Sequence, residues 1–200
     1  NYNSSYLERA LEQMLDEADL PEVTRFLRAV DVRIDGFRVE KAPEGRGQRV
    51  FVKHEVDGKG YELRLSEESA GTQKLMGLAA FLLAALERGG TVVVDELDAK
   101  LHPKLLRYVI LLFKDPEVNK HGAQLIFSSQ DVSTMRNDVF RRDEIWFAAR
   151  GEGEASQLWS LADIHEANGN LVSKNAAFDK QYQSGRYGAD PYLTRIEEWD

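Results

Sequence analysis

The chain has 200 residues, and its 42% hydrophobic content can form a substantial core in one or two domains. Charged residues make up 30% of the chain and no apolar run reaches the roughly 20 residues of a membrane span, so we expect a soluble protein with no membrane partner. The absence of cysteine excludes disulfides and thiolate metal sites, and the net charge of −8 gives no general basic surface for nucleic acid.

The first 31 residues predict a helical pair. Apolar residues recur at helical spacing over residues 4–19, and Pro21 suits the first turn of a second, shorter helix that runs through Val30. Such a pair can pack against its own domain or take part in a coiled-coil or dimer contact.

Residues 32–65 change to an alternation of apolar and polar side chains, which is typical of strands. A strong turn signal at residues 57–60, Asp-Gly-Lys-Gly, separates two of the alternating runs. The pattern predicts a small antiparallel meander that leads into a polar loop at Ser66.

The polar loop contains Ser69, Ala70, Gly71 and Thr72 and opens onto an apolar helix predicted over residues 73–87. A loop at a helix N-terminus offers free backbone N–H groups, here beside a serine hydroxyl and a glycine that permits close approach. These features suit a phosphate group. An ordinary helix cap is the alternative interpretation.

Residues 91–96 contain an apolar β-branched run that ends in two carboxylates, Asp95 and Glu96. Such a run predicts a fully buried parallel strand, and open α/β sheets bind ligands at the carboxyl ends of their strands. Because Mg²⁺ prefers hard oxygen ligands beside phosphate oxygens, Asp95 is a candidate metal ligand, and Glu96 can orient an attacking water. Alternatively, the acids cap the next helix or face solvent.

A helix is predicted over residues 103–113, followed by a second apolar strand at 123–127. Ser128, Ser129 and Gln130 come directly after that strand. Gln130 can donate a hydrogen bond to a phosphate oxygen, and a loop amide that faces water is the alternative.

The rest of the sequence predicts a short helix and two strands joined by a turn: the helix at 131–138, the strands at 143–149 and 157–161, and the turn at 151–154. We interpret Trp146 and Trp159, which fall in these strands, as core aromatics rather than platforms that stack bases.

The one notable basic cluster contains Arg136, Arg141 and Arg142. A solvated face that pairs with Asp138 and Asp143 explains this cluster without a nucleic-acid contact. Nucleic acid is therefore not indicated as a partner.

The order of these parts resembles that of the ATP-binding-cassette (ABC) type of ATPase: signature loop, long helix, Walker B strand, D-loop and switch strand. The chain is most similar to AAA-family ATPases of the OLD-like and AbiLi-like bacterial abortive-infection group. Four stretches carry the resemblance: 68–75 (Glu-Ser-Ala-Gly-Thr-Gln-Lys-Leu), 95–103 (Asp-Glu-Leu-Asp-Ala-Lys-Leu-His-Pro), 141–147 (Arg-Arg-Asp-Glu-Ile-Trp-Phe) and 187–191 (Tyr-Gly-Ala-Asp-Pro). The resemblance covers roughly residues 60–192.

The resemblance implies an α/β fold like the head of an ABC or SMC ATPase, with a mostly parallel core sheet, flanking helices, the meander and the N-terminal helical pair. The chain then has four parts: the end of a helical insertion at 1–31, the meander at 32–65, the C-terminal ATPase lobe at 66–161 and a polar, surface-wrapping tail at 162–200.

The resemblance also implies ATP and Mg²⁺ as cofactors. The loop of Ser69, Ala70, Gly71 and Thr72 is then the signature loop. Its Ser69 and Gly71 contact the γ-phosphate of ATP bound to a second subunit.

By the same resemblance, Asp95 serves Mg²⁺, Glu96 positions the attacking water, and Asp98 lies in the loop that joins the two sites. Gln130 stands where the group usually has histidine, which implies slow hydrolysis or tolerance of an uncharged donor. We expect Ser69, Asp95 and Gln130 to lie along one rim of the molecule.

No Gly-x-x-x-x-Gly-Lys-[Ser/Thr] loop, the Walker A motif, occurs in these residues. The glycine pairs at 45–47 and 58–60 lack its spacing and its following helix, and we interpret both as turns. We expect the C-terminal half of a longer ATPase, active only when a Walker A half completes it.

Our leading hypothesis is an ATP-hydrolysing subunit of a head-to-tail dimer that acts as a sensor or regulator in bacterial antiphage defence. Its partner would be an effector protein, often a nuclease, and the cytoplasm is the default compartment because no signal peptide is visible. A scaffold that binds ATP but scarcely hydrolyses it is the second hypothesis, with Gln130 as its hint. An SMC-like DNA-repair ATPase is the third, although the negative charge and the lack of sustained heptads count against it.

Overall fold

The computed structural model describes residues 20–30, 34–41, 48–150, 155–166 and 168–189. These residues form a mixed α/β structure with three small sheets. The chain divides into two compact units, residues 1–130 and 131–200, so the predicted lobe at 66–161 spans their boundary. Two predicted features lie outside the described residues: the helix at 4–19 and the turn at 151–154.

Helix α1 (Leu20–Ala29) confirms the second helix of the predicted pair. Its buried side chains are apolar and lie at helical spacing: Val23, Phe26 and Leu27. Arg28 links the end of the helix to the start of the meander, because its guanidinium donates to the Ile34 carbonyl at 2.6 Å and pairs with Asp35 at 2.9 Å.

The predicted meander is confirmed as a three-stranded antiparallel sheet. Its strands, in sheet order, are β1 (Gly36–Lys41), β2 (Gln48–Val56) and β3 (Lys59–Arg64). Asp57 and Gly58 join β2 to β3, and both have a positive φ (52° and 74°), as a two-residue hairpin turn requires. Val50 and Val52 of β2 are buried, whereas β3 is exposed along its whole length.

Helix α2 (Ala70–Arg88) is the long apolar helix of the first unit. It begins before its predicted start at residue 73, because Ser69 caps it and the small residues that follow already form its first turn. It ends at Gly89, whose φ of 78° is left-handed and whose Cβ, if present, would lie 2.4 Å from the His121 carbonyl oxygen. None of the described helices is both long and apolar enough to cross a membrane.

The last three elements of the first unit are β4 (Thr91–Val94), α3 (Pro103–Lys114) and β5 (Gln124–Phe127). The two strands pair in parallel, with Val94 opposite Phe127, and the helix connects them. His102 caps the helix by accepting a hydrogen bond from the Lys104 N–H at 3.1 Å. The predicted strand, helix and second strand are all confirmed.

The β4–β5 pair departs from the prediction in its burial. Among the described residues parallel pairing is limited to these two strands, whereas we expected a mostly parallel core sheet. Full burial of β4 is wrong, because Val93 is 73% exposed and Ile126, opposite it on β5, is 56% exposed. Side chains alternate along a strand, so Val92 faces the other way and packs near Ala85 of α2 and Phe113 of α3. Only one face of the pair is covered by the described residues.

The second unit contains the antiparallel pair β6 (Trp146–Arg150) and β7 (Ser156–Ser160) and the short helix α4 (Phe178–Gln183). One apolar cluster forms its core: Ile145, Phe147, Leu161, Val172, Phe178 and Tyr187. Half of these residues come from the segment expected to be a polar, surface-wrapping tail. That segment therefore contributes to the core of its unit.

Two predictions for the second unit are wrong. The helix at 131–138 is only a 3-10 turn at Val132–Thr134, capped by the Asp131 side chain, because Met135 leaves the helical region with a ψ of 71°. Trp146 is 58% exposed, because Phe147, the next residue of the strand, takes the inward face. Trp159 does pack against the core cluster, as predicted.

Candidate functional site

Two acids and a serine meet where β4 and β5 end. Because the strands run in parallel, Asp95 after β4 and Ser128 after β5 emerge at the same edge. The Ser128 hydroxyl donates a hydrogen bond to Asp95 Oδ1, and its oxygen accepts one from the Glu96 N–H at 2.8 Å. Both carboxylates are exposed. The sequence indicated the two acids but gave no role to the serine that orients the first.

Glu96 has a left-handed backbone conformation, with a φ of 48°. This region costs a residue other than glycine about 1 kcal/mol or more, so neighbouring contacts must hold the backbone there. The Glu96 carbonyl accepts two hydrogen bonds, from the Ala99 N–H at 3.0 Å and from Lys74 Nζ at 2.5 Å. A strained residue that also carries an exposed carboxylate is a candidate for function.

The loop at 97–102 is anchored to the end of β5 and to the interior. Leu97 is fully buried, and its N–H donates to the Ser128 carbonyl at 3.0 Å. Asp98 lies in this loop, as the resemblance implies, and its Oδ1 atom is buried without a hydrogen-bond partner among the described residues. Burial of a carboxylate oxygen without a hydrogen-bond partner costs free energy, and a positive charge nearby reduces that cost.

The N-terminus of α2 carries the predicted phosphate-binding loop. Ser69 Oγ accepts a hydrogen bond from the Thr72 N–H at 3.1 Å and lies 2.8 Å from the Thr72 hydroxyl. Ser69 and Ala70 are exposed, and the first N–H groups of an α-helix have no carbonyl acceptor within it. The helix-cap interpretation is confirmed, and phosphate binding by the same loop stays a prediction.

The N-terminal part of α2 contacts the segment after β4 at two points. At Gly71 a Cβ atom would lie 2.8 Å from the Lys100 carbonyl oxygen, so the two backbones leave no room for a side chain. At Lys74 the ammonium donates to the Glu96 carbonyl. The structure thus brings the predicted phosphate loop and the acidic edge together within one chain.

Lys74 is a residue whose role the sequence analysis missed, although it lies inside the quoted signature motif. The one signal for it is spacing, because residues three apart share a helix face and Gly71 is three residues earlier. Burial lowers the pKa of Lys74, while the carboxylates of Asp98 and Glu96 act in the opposite direction. The ammonium is therefore partly desolvated and faces two acids.

The segment before Ser69 is held by the meander and by α2. Glu68 Oε1 lies 2.6 Å from His54 Nε2 on β2, and both side chains are mostly buried. The Glu68 carbonyl accepts a hydrogen bond from Gln73 Nε2 at 2.7 Å. These contacts fix the approach of the chain to the helix cap.

Gln130 is exposed and lies two residues after Ser128. It therefore follows the strand end whose serine contacts Asp95. Ser69 is connected to the same region through the contacts of Gly71 and Lys74 with the loop after β4. Whether Ser69, Asp95 and Gln130 act together stays a prediction.

The basic cluster of the second unit pairs with acids, as the solvated-face interpretation predicted. Arg136 lies 3.0 Å from Asp138, and Arg141 lies 2.8 Å from Asp143. These pairs reduce the positive charge that the cluster can offer to a polyanion.

The donor set at the β4–β5 edge suits a magnesium ion that is shared with phosphate. Within the described residues no group of three or more His, Asp or Glu side chains is gathered to hold a metal alone. Asp95 offers hard carboxylate oxygens at an exposed position, and Mg²⁺ usually takes one or two carboxylates together with waters and phosphate oxygens. Asp95 therefore fits the predicted metal role.

Comparison with known proteins places the chain in a family. No curated protein matches it. A solved structure described as "Structural biochemistry of ATP-driven dimerization and DNA stimulated activation of SMC ATPases" is similar over 80% of this chain and 85% of that chain, with a TM-score of 0.44 and 16% identity. Residues 1–136 match the family described as "AAA domain, putative AbiEii toxin, Type IV TA system". The class is thus an AAA-type domain, and the chain belongs to this family.

Proposed function

We propose that this chain is the signature and Walker B half of an ABC-type ATPase that works as a head-to-tail dimer. One observation carries the proposal: the segment after β4 contacts both the end of β5 and the capped start of α2. Asp95 of this segment pairs with Ser128, and the strained Glu96 that follows accepts a hydrogen bond from α2. Membership of an AAA-domain family supports ATP as the ligand.

Each residue of the edge has a chemical task in this proposal. Asp95 would hold Mg²⁺, whose charge would stabilise the phosphate oxygens during hydrolysis. The Ser128 hydroxyl keeps the Asp95 carboxylate oriented, because it donates to one of its oxygens. The exposed Glu96 carboxylate can accept a hydrogen bond from water and so orient it for attack on the terminal phosphate.

The start of α2 would bind the phosphate from the opposite side. Its free N–H groups and the positive end of the helix dipole favour an anion, and Ser69 and Ala70 are exposed to receive one. In a head-to-tail dimer each nucleotide would lie between the Walker A loop of one subunit and Ser69–Thr72 of the other. That Walker A loop would come from residues outside these 200.

The apolar face of the β4–β5 pair supports the need for a second half. Val93 and Ile126 form an exposed apolar pair in the middle of this sheet. Exposed apolar patches beside a polar site mark surfaces that another polypeptide covers. We propose the Walker A half as the occupant, since it would extend the two-stranded parallel sheet into the predicted core sheet.

In its biological role the ATPase would act as a sensor or regulator in bacterial antiphage defence and control a toxic effector. The family description, which names a toxin and a toxin–antitoxin system, agrees with such a role. A weakly hydrolysing, ATP-dependent scaffold is the second candidate, because Gln130 is an uncharged donor at the switch position. An SMC-like DNA-repair role is less favoured, since Arg136 and Arg141 already pair with acids.

Replacement of the water-orienting acid separates the enzyme from the scaffold. With the native assembly and MgATP, Glu96→Gln should lower phosphate release about 100-fold or more, because the amide cannot accept a proton as a carboxylate can. It should also trap a nucleotide-bound dimer, measured by light scattering. Glu87→Gln, the same change at an exposed residue near the other end of α2, should leave both readouts unchanged. An unaffected rate in Glu96→Gln contradicts the proposal, and a wild-type rate near zero favours the scaffold.

A further inference from the structure

On the basis of the proposed function, we propose that Lys74 is a positioning residue for Glu96 and couples the signature loop to the acidic edge within one subunit. The Lys74 ammonium lies 2.5 Å from the Glu96 carbonyl oxygen, although the two residues are 22 positions apart in sequence. Lys74 would contact neither the attacking water nor the nucleotide. It would act by fixing the backbone from which the Glu96 carboxylate extends.

The strained backbone explains why such a residue is needed. Glu96 has a φ of 48°, and its peptide group returns to an ordinary conformation unless contacts hold it. The Ala99 N–H supplies one hydrogen bond to the Glu96 carbonyl from within the loop. Lys74 supplies the other from α2, and a hydrogen bond from an ammonium is stronger than one between neutral groups.

A second contact at Gly71 makes the coupling rigid. The backbone of α2 approaches the Lys100 carbonyl so closely that a Cβ would lie 2.8 Å from it, and Lys100 itself has a left-handed φ of 65°. Gly71 and Lys74 lie on one face of the helix and contact Lys100 and Glu96, the two ends of residues 96–100. A displacement of the start of α2 therefore moves Glu96 as well.

The charges around Lys74 support this role. The carboxylates of Asp98 and Glu96 attract the Lys74 ammonium, and the Lys100 ammonium repels it. The Asp98 Oδ1 atom is buried without a hydrogen bond among the described residues. Loss of the Lys74 charge would remove a favourable electrostatic interaction with that carboxylate. The loop would then lose both a hydrogen bond and an electrostatic restraint.

The coupling has a functional meaning in a head-to-tail dimer. The start of α2 would face the nucleotide of one site, while Asp95 and Glu96 would serve the other. Lys74 would therefore transmit occupancy of the first site to the geometry of the second. Hydrolysis in the two sites should depend on each other only while this contact is intact.

The test compares Lys74→Met, which keeps the length but removes the charge, with Lys74→Arg, which keeps a charged donor. In the native assembly, Lys74→Met should lower kcat for MgATP about 10-fold or more, leave KM within about 2-fold and reduce the Hill coefficient towards one. Lys74→Arg should recover most of kcat. Lys59→Met, at an exposed position beside the β2–β3 turn, should behave like wild type.

The outcomes distinguish this inference from the function on which it rests. An active wild type with an unchanged kcat in Lys74→Met overturns the inference alone, as does an increase confined to KM. A loss that Lys74→Arg does not recover indicates packing rather than positioning and also overturns it. If Lys74→Met does not fold, Lys74→Gln, which keeps a neutral donor on a shorter side chain, tests the same contact and should lower kcat with KM unchanged. An inactive wild type overturns the proposed function itself.

Discussion

The two-stranded sheets β4–β5 and β6–β7, with four and five residue pairs, differ in the side chains that pack against them. On β6, the inward Phe147 lies between three aromatic rings, with centroids 5.3 Å from Tyr187, 5.7 Å from Tyr182 and 6.1 Å from Trp159. On β4, Val93 is 73% exposed. The β6–β7 pair also exposes apolar residues, since Trp146 is 58% and Leu158 is 68% exposed. The two sheets therefore differ in what packs on their inward faces, which is a cluster of aromatic rings in the second unit.

This difference separates stability from function along the chain. The candidate site lies at the edge of β4–β5, where the acids are exposed and the Glu96 backbone is strained. Among the described residues of the second unit, a positive φ is confined to glycines. Changes in its aromatic core should therefore affect folding, and changes at the β4–β5 edge should affect chemistry.

The largest expected stability effect comes from the aromatic core. Phe147→Ala removes the ring that three others contact and should cost about 3–5 kcal/mol in the free energy of unfolding of the second unit. Urea unfolding followed by tryptophan fluorescence measures it. Trp146 is the preceding residue on the opposite face and is 58% exposed, so Trp146→Ala should lower the free energy of unfolding by under about 1 kcal/mol. Equal losses of stability in the two variants would contradict the assignment of Phe147 to the inward face and Trp146 to the exposed face.

Local features of the fold could be predicted from the sequence because a few neighbouring residues determine them. Asp57 and Gly58 tolerate the positive φ of the hairpin turn, and Ser69 suits the helix cap. The apolar run at Thr91–Val94 correctly predicted a parallel strand that ends in two acids. These signals needed no knowledge of distant contacts.

The features that the sequence did not reveal depend on distant residues. An apolar run indicates that a strand can be buried, but it does not show which faces of the strand other residues cover. Full burial of β4 therefore did not follow from its sequence. The spacing of Lys74 from Gly71 places both on one helix face, but it does not identify the Glu96 carbonyl as the acceptor, since every residue has a carbonyl oxygen. The 131–138 segment has helical spacing, yet it ends its 3-10 turn at Met135, and apolar spacing alone cannot show that.

Ser69 offers an intermediate effect that sharpens the comparison. Ser69→Ala should cost about 1 kcal/mol, because the Thr72 N–H loses its cap. Ser69→Asp should keep the stability, since aspartate caps helices well, but it should abolish MgATP-driven dimerisation because its charge repels phosphate. Sedimentation with and without MgATP, together with urea unfolding, measures both effects.

Ser160 is the matched control for Ser69 in the other unit. Its hydroxyl accepts a hydrogen bond from the Ala162 N–H at 3.1 Å, so it also caps a turn. Ser160→Ala should lower stability but leave dimerisation intact. Normal dimerisation in Ser69→Asp would remove the phosphate-binding role from the α2 loop.

The last expected effect is a pH dependence confined to the second unit. Burial raises the pKa of Tyr187 to about 12 from its ordinary value of 10.0, and its hydroxyl donates to Gln181 Oε1 at 2.7 Å. A raised folded-state pKa contributes stability that is fully present below pH 10 and is lost as pH rises towards about 12. The urea midpoint of this unit should fall across that interval.

The Tyr187→Phe variant cannot ionise at this position, so its urea midpoint should fall less steeply from a lower starting stability. Tyr61 is 52% exposed on β3, and Tyr61→Phe should follow wild type. Parallel curves for Tyr187→Phe and wild type would show that ionisation of the buried hydroxyl does not contribute to alkaline unfolding.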